Sequence, residues 1–311
     1  MREISELDSL SANELYELVR KLKKEKSCFV LAHNYQLMEV QKIADYVGDS
    51  LQMAKVAAQT NAKMILLCGI IIMGDTAKIL NPEKKVIMAH PFADCRLAKM
   101  KKVSDLVNLK AQHPDAEVVC YVNSEAELKA ESTITCTSAN AVEVIASIPR
   151  SKEVIFVPDR NIGMWVSYKL GRDLIMFDST CYVHDQITID EVMAVRKKYP
   201  KYTLLVHPEC RLNVCKVADL VCSTSQMIDY AEDHDNLIIG TEYGLYEQLR
   251  YHYPQKNIVS LSETMICDDM KMTTLRGAVQ ALLEERSEII LSEDVMNNTR
   301  TSLQRMMDIV Q

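Results

Sequence analysis

At 311 residues, with 48% apolar and 25% charged positions, the chain has the composition of a folded globular protein, which excludes disorder or low complexity as a description of the whole. Lys and Arg total 36 against 43 Asp and Glu, a net charge of -7; the basic clusters, Lys21–Lys26 and Lys99–Lys102, are short, so no nucleic-acid partner is expected. The longest apolar run, Met64 to Met73, holds ten residues, too few to span a bilayer, and the polar, helical start lacks the apolar core of a secretion signal, so the expectation is a cytoplasmic protein with no membrane partner.

In chain order the elements recur three times. An amphipathic helix over 12–25 precedes the apolar run CFVLAHNY (28–35), the segment ADYVGDSLQMAK (44–55), the run KMILLCGI and the run KKVIMAHPFADC. A helix near 102–112 then precedes EVVCYVNS (117–124), ESTITCTSANAVEV (131–144), EVIFVPDR and RDLIMFDSTC. A third helix, 188–199, precedes TLLVHPEC (203–210), ADLVCSTSQMIDYA (218–231), NLIIGTEY and KNIVSLSETMIC. Strands that alternate with helices at this spacing predict right-handed crossovers and a parallel sheet covered on both faces, and continuous apolar runs are what double burial requires. The fold class is therefore α/β: three similar three-layer α/β/α domains with short parallel sheets, in a pseudo-threefold arrangement. Their expected bounds are 1–97, 98–183 and 184–268, with 269–311 helical and packing back on the first.

Cysteine usage sharpens this. With no secretion signal, ten cysteines read as reduced thiols, metal ligands or catalytic groups rather than a disulfide framework. Cys95, Cys181 and Cys267 close the three repeats at an equal spacing of 86 positions. Three thiolates brought to one centre predict a metal site. No CxxC pair is present, which argues against structural zinc, and three separated thiolates suit a [4Fe–4S] cluster with one iron lacking a protein ligand, a Lewis acid. Cys28, Cys68, Cys120, Cys136 and Cys222 lie in apolar strand contexts and read as small core residues. Cys210 and Cys215 leave a regulatory thiol open.

In parallel sheets, ligands bind beyond the carboxyl ends of strands. The first strands end at His33, Asn34 and Tyr35, at Tyr121 and Asn123, and at His207 and Glu209. The second strands lead to Ser50, Ser138 and Thr224, expected as hydroxyl caps that open helices and bind carboxylate or phosphate. His207 and Glu209 beside a Lewis acid are candidate proton-transfer groups. His207 could be a core histidine and Tyr121 a packing residue, but a site role is favoured for both, for His207 on its strand-end position. From the residues alone the reading is a cluster-dependent lyase or synthase acting on small anionic substrates; a non-catalytic iron–sulfur sensor and an aconitase-like hydro-lyase remain open.

The segments AHNYQ, GDSLQMAK, TAKILNPEK, YVNS, CTSANAV, PDRNIG, VHPEC, STSQM, GTEYG and MKMTTL, in this order from about Ala32 onward, resemble the quinolinate synthase family. The resemblance implies a [4Fe–4S] cluster on Cys95, Cys181 (in CxVH) and Cys267 (in CxxMKM). It implies condensation of iminosuccinate with dihydroxyacetone phosphate to quinolinate, phosphate and water in de novo NAD biosynthesis. An L-aspartate-oxidising enzyme would supply the iminosuccinate. It also implies His33, Ser50, Tyr121, Asn123, Ser138, His207, Glu209 and Thr224 as substrate-binding positions and Tyr35 and His184 as active-site positions, with Glu209, His207, Tyr121, Tyr35 and His184 as the catalytic candidates. One segment departs from the usual family form GVxFMAE: Gly69 to Asp75 places Ile72 at the aromatic and Asp75 at the glutamate.

Overall fold

The computed structural model describes residues 4–309. They belong to two compact units, Met1–Cys95 with Cys267–Ser292, and Arg96–Ile266 with Glu293–Gln311.

The elements match the apolar periodicity closely. After a 3-10 turn (Ile4–Ser9) come α1 (Ala12–Glu25), β1 (Cys28–His33), α2 (Met38–Gln41), β2 (Tyr46–Gly48), α3 (Ser50–Gln59), β3 (Met64–Cys68), α4 (Ile71–Leu80) and β4 (Lys85–Met88). The second set is α5 (Arg96–Lys99), α6 (Val103–Gln112), β5 (Glu117–Tyr121), α7 (Ala126–Ala130), β6 (Ile134–Cys136), α8 (Ala141–Ser147), β7 (Val154–Val157), α9 (Arg160–Leu170) and β8 (Ile175–Met176). The third is α10 (Tyr182–Asp185), α11 (Ile189–Lys198), β9 (Thr203–Val206), α12 (Leu212–Val217), β10 (Leu220–Val221), α13 (Thr224–Asp233), β11 (Asn236–Gly240), α14 (Tyr243–His252) and β12 (Asn257–Ser260). The chain continues through α15 (Asp268–Lys271), α16 (Leu275–Glu284) and α17 (Glu293–Ile309).

Three four-stranded sheets result, each flanked by helices, as the alternation of runs predicts. Their orders are β2-β1-β3-β4, β6-β5-β7-β8 and β10-β9-β11-β12, and the strand pairs are parallel. In each sheet the first strand pairs with the second on one side and the third on the other. Chain direction thus switches between β1 and β3, between β5 and β7 and between β9 and β11, where a crevice opens at the carboxyl ends.

The first unit buries one face of its sheet, Val30, Ala32, Leu66 and Cys68, under Leu15, Val19 and Leu22 of α1 and Leu275, Val279 and Leu282 of α16. Those helical residues recur at three- and four-residue intervals, which places them on one stripe. In the second unit Leu106 of α6 packs on Val118, Cys120, Ile155 and Val157. The Ile72 and Asp75 departures both lie buried on α4. Between them Gly74 is closely packed: a Cβ there would meet Met88 Sδ at 2.5 Å and Ile289 Cγ1 at 3.0 Å, so the Met88 side chain would have to shift to admit one.

Of the segment after the third repeat, expected to be helical and to pack on the first, α16 does pack on the first sheet, and the difference begins after it. Residues 285–292 are extended instead, with Met88 and Ile289 N–H donating across an antiparallel bridge at Ile87 and Glu288. The final helix α17 packs on the second repeat, against α7 and β6. Thr299 Oγ1 donates to Ala126 O (2.8 Å), Ser302 Oγ to Lys129 O (3.0 Å) and Arg305 to Thr133 O (2.8 Å), with Leu303 and Met306 buried.

A cation that recurs in all three repeats fixes the helix ahead of the third strand. Just before the fourth strand, Lys84 Nζ donates to Ala57 O and Thr60 O at the end of α3. Arg172 donates to Ile145 O, Ile148 O, Pro149 O and Lys152 O at the end of α8. Lys256 Nζ donates to Ala231 O and Glu232 O at the end of α13. Each cation meets carbonyls that have no partner within their helix, at the negative end of the helix dipole. Lys84→Met and Lys256→Met leave these carbonyls without a donor, so each is expected to lower unfolding free energy by about 1–3 kcal/mol. Urea denaturation followed by far-UV dichroism measures it; an unchanged midpoint contradicts the capping role.

Glu285, which ends α16 in a left-handed conformation (φ 52°), pairs with Lys26 and, at 2.6 Å, with Lys85. Hydrogen bonds from Lys26 and Lys85 hold its carboxyl below the usual range. A pKa lowered in the folded state adds stability above the unfolded glutamate value and loses it as pH falls through the folded one. Glu285→Gln is therefore expected to cost about 1 kcal/mol at neutral pH. The difference in urea midpoint from the parent should close by about pH 3.

Candidate active site

Each repeat delivers polar groups to the carboxyl edge of its own sheet. In the first unit, β1 ends at His33, whose Nδ1 accepts the N–H of Tyr35 (3.1 Å) and whose ring meets the Tyr35 ring edge-on at 4.6 Å. That bond assigns a neutral His33 its proton on Nε2. The turn after β1 is fixed from two sides. Lys271 donates to Tyr35 O, and Gln36 Nε2 donates to Met270 O (3.0 Å).

Ser50 and Thr224 are the first helical residues of α3 and α13, not their caps. The caps are Asp49, which accepts from the N–H groups of Leu51 (3.1 Å) and Gln52 (2.9 Å), and Ser223, which accepts from Gln226 N–H (3.3 Å). Gln52 and Gln226 complete capping boxes, the arrangement that suits an acid or hydroxyl followed three residues later by Gln. The amides expected to hold an anion are thus engaged by the chain's own side chains, and at α3 by a carboxylate. Ser138 lies half-buried in the turn ahead of α8, where Asn140 Oδ1 accepts Thr137 N–H at 2.6 Å.

In the second unit Tyr121 is buried at the end of β5, and its hydroxyl accepts from Asn123 Nδ2 at 2.8 Å. The expected Glu209, His207, His184 and Cys181 come together there. His184 Nδ1 lies 2.8 Å from Glu209 Oε2 and 3.3 Å from Cys181 Sγ, and its Nε2 lies 2.9 Å from Thr241 Oγ1. His207 Nδ1 is 3.3 Å from the same carboxylate oxygen, and the two imidazoles stack obliquely at 4.9 Å. Cys181, His184 and Glu209 offer donor atoms within 4.8 Å of one another.

Burial pulls His184 below its ordinary pKa, so the ring is neutral. A neutral His184 that donates Nδ1–H to Glu209 then accepts the Thr241 hydroxyl proton at Nε2, which satisfies both nitrogens. Burial alone would raise Glu209, but His207 and His184 outweigh it and hold the carboxyl well below the usual range. Asp159 goes the other way, raised well above its ordinary value by burial and then by the Glu209 charge. The two neighbouring buried acids are thus pushed in opposite directions.

Asp159, Asn161 and Thr241 are site positions that are absent from the residues expected above. Asp159 caps α9 through Ile162 N–H (2.8 Å) and accepts Cys181 N–H (3.2 Å), so it sets the cysteine's backbone. Asn161 Nδ2 donates to Glu209 O at 2.9 Å. All three come directly after third strands, in PDRN beyond β7 and GTEY beyond β11. The signal that finds them is the same one that finds His207 and Glu209: a polar group just past the carboxyl end of a parallel strand, here the third rather than the first, second or fourth.

Burial separates the ten cysteines. It pushes the Cys28, Cys215 and Cys222 thiols up to about 12 and also raises those of Cys68, Cys120, Cys136 and Cys210. Those seven are held as thiols, whereas a metal takes thiolate. Cys95, Cys181 and Cys267 are half-buried, and each comes immediately after its repeat's last strand and loop and precedes a four-residue helix, α5, α10 or α15. The donor set therefore fits an iron–sulfur group: three half-buried thiols, one per repeat, with six of the others in cores and Cys222, though half-buried itself, raised by desolvation.

A profile of the family NadA, quinolinate synthetase A protein, matches residues 17–308. Among curated relatives, the quinolinate synthase of Caldicellulosiruptor bescii is 42% identical over 300 residues, covering 96% of this chain and 97% of that protein. That of Alkaliphilus metalliredigens is 42% identical over 303 residues, covering 96% and 100%. That of Sulfurihydrogenibium sp. is 38% identical over 308 residues, again covering 96% and 100%. With a match across nearly its whole length, and with the polar strand ends and the Cys181–His184–Glu209 group in its second unit, the chain belongs to the quinolinate synthetase A family.

Proposed function

We propose that the chain is a quinolinate synthase, condensing iminosuccinate with dihydroxyacetone phosphate to give quinolinate, phosphate and two waters on the route to NAD. An enzyme that oxidises L-aspartate would supply the unstable imine. The observation that carries this reading is the buried His184–Glu209 pair beside the Cys181 thiol, in a family whose named relatives are quinolinate synthases.

Cys95, Cys181 and Cys267 would hold a [4Fe–4S] cluster, which when bound supplies an open iron as Lewis acid. The chain's own residues then have definable tasks. Each elimination requires a proton to leave carbon, and Glu209, charged and dry, is the acceptor. As held, its low pKa makes it a weak base; a substrate that draws the His184 N–H away strengthens it. Thr241 steadies the other face of His184, and His207 stands ready to pass the proton on. Tyr121, oriented by Asn123, and His33, oriented with Tyr35, donate hydrogen bonds to substrate oxygens. Ser50, Ser138 and Thr224 bind carboxylate or phosphate through their hydroxyls, since the helix amides beside Ser50 and Thr224 are already engaged by caps.

Glu209→Gln is expected to retain iron and still bind a pyridine dicarboxylate, while turnover falls by roughly 100-fold or more, the scale of losing a general base. Steady-state quinolinate formation by the anaerobically reconstituted protein, with iron counted per chain, measures this; near-normal turnover would remove Glu209 from the role. Ala substitution of Cys95, Cys181 or Cys267 should each abolish stable iron and sulfide binding, while Cys68→Ala and Cys136→Ala keep it. A Cys136→Ala protein as depleted of iron as Cys181→Ala would overturn the ligand assignment. Iron retained with no quinolinate formed by the parent chain would favour a sensor.

A further inference from the structure

Within the second unit, a cleft of about 550 Å³ lies between the first turns of α9 and α12. Its lining is cationic and amide-rich, from Arg160, Asn161, Arg211, Asn213 and Lys216, over an apolar base of Met164 and Leu212. None of the lining residues is acidic. The negative charge near it belongs to Asp185 and Asp178. Arg211 donates to Asp185 Oδ2 at 3.1 Å, Asn161 to Oδ1 at 2.9 Å, and an Arg160 nitrogen lies 3.9 Å away. Arg160 also pairs with Asp178, which is 81% exposed and so well screened by solvent. The Lys216 ammonium rests over the Tyr168 ring at 4.4 Å rather than on a carboxylate.

We propose that this cleft binds the phosphate group of a small phosphorylated ligand. Two planar guanidiniums and an ammonium lining one cavity, from α9 on one side and α12 on the other, match a tetrahedral dianion, to which guanidinium forks donate in pairs. The internal carboxylate selects for charge: Asp185 already draws on both arginines, so a monoanion gains little by competing, while a dianion does. The volume exceeds what a phosphate needs and is in the range that holds a small organic ligand. The apolar base of Met164 and Leu212 would take the organic part. Two sources of the group are compatible with this chemistry, free inorganic phosphate and a phosphomonoester.

Isothermal titration of the reconstituted protein with inorganic phosphate, AMP and acetate tests the assignment. Phosphate and AMP are expected to bind and acetate not. Equal affinities for the first two identify the phosphate group alone as the ligand; a tighter AMP identifies a phosphomonoester whose organic part also docks. Lys216→Gln, and independently Arg211→Gln with its fold checked by dichroism, should weaken this binding at least tenfold. Thr224→Ala, in the proposed substrate set, should leave it intact. Acetate binding as well as phosphate, or phosphate binding that survives Lys216→Gln and disappears with Thr224→Ala, would overturn the proposal and place the anion elsewhere.

Discussion

Parallel pairing is the constraint that dictates the functional geometry. A parallel strand can return to its sheet only through a crossover, so its carboxyl end and those of its neighbours lie on one edge. In this chain each sheet places its first strand between its second and third, and the resulting crevice falls between the polar residues of the candidate site. In the third repeat those are His207 and Glu209 on one side and Thr241 on the other. In the second they are Tyr121 and Asp159. The strands themselves contribute only burial; the polar atoms come from their last residue and the few just beyond it.

Burial then decides the charge of each polar atom. Glu209 has almost no exposure, and an isolated carboxylate in such surroundings would take up a proton. Two imidazoles facing one of its oxygens push its pKa down, and its charge in turn pushes that of Asp159 up. The network is therefore electrostatically coupled across the second and third repeats. The same burial that acts on this acid pair raises seven of the ten thiols, which disfavours those seven as thiolates.

Most of the architecture was legible in the apolar runs, because strands buried on both faces cannot hide their composition. Helices at 12–25, 102–112 and 188–199 are seen within a residue or so of their expected bounds for the same reason. What escaped was local polar chemistry. Capping boxes at Asp49 and Ser223 are visible in the sequence as an acid or hydroxyl three residues before Gln52 and Gln226, yet the hydroxyls beside them are the more conspicuous feature. The cations at Lys84, Arg172 and Lys256 were hidden because their partners are backbone carbonyls, which leave no mark on residue type. The position of α17 could not be read either, since an amphipathic helix records that it packs and not on what.

The route of the chain has a consequence for how the protein is made. Thr299 of α17 is bonded to Ala126, 173 residues earlier. Synthesis on the ribosome proceeds past the rest of the second sheet and the whole of the third before that helix exists, so the flank of β6 and the end of α7 wait uncovered in the nascent protein. At ordinary elongation rates the wait lasts on the order of ten seconds or more. During it the carbonyls of Ala126, Lys129 and Thr133 and the apolar surface beneath Leu303 and Met306 are open to water, chaperones and neighbouring chains. The second repeat is thus a part whose cover arrives late, and the step that seals it is a long-range closure rather than a local one.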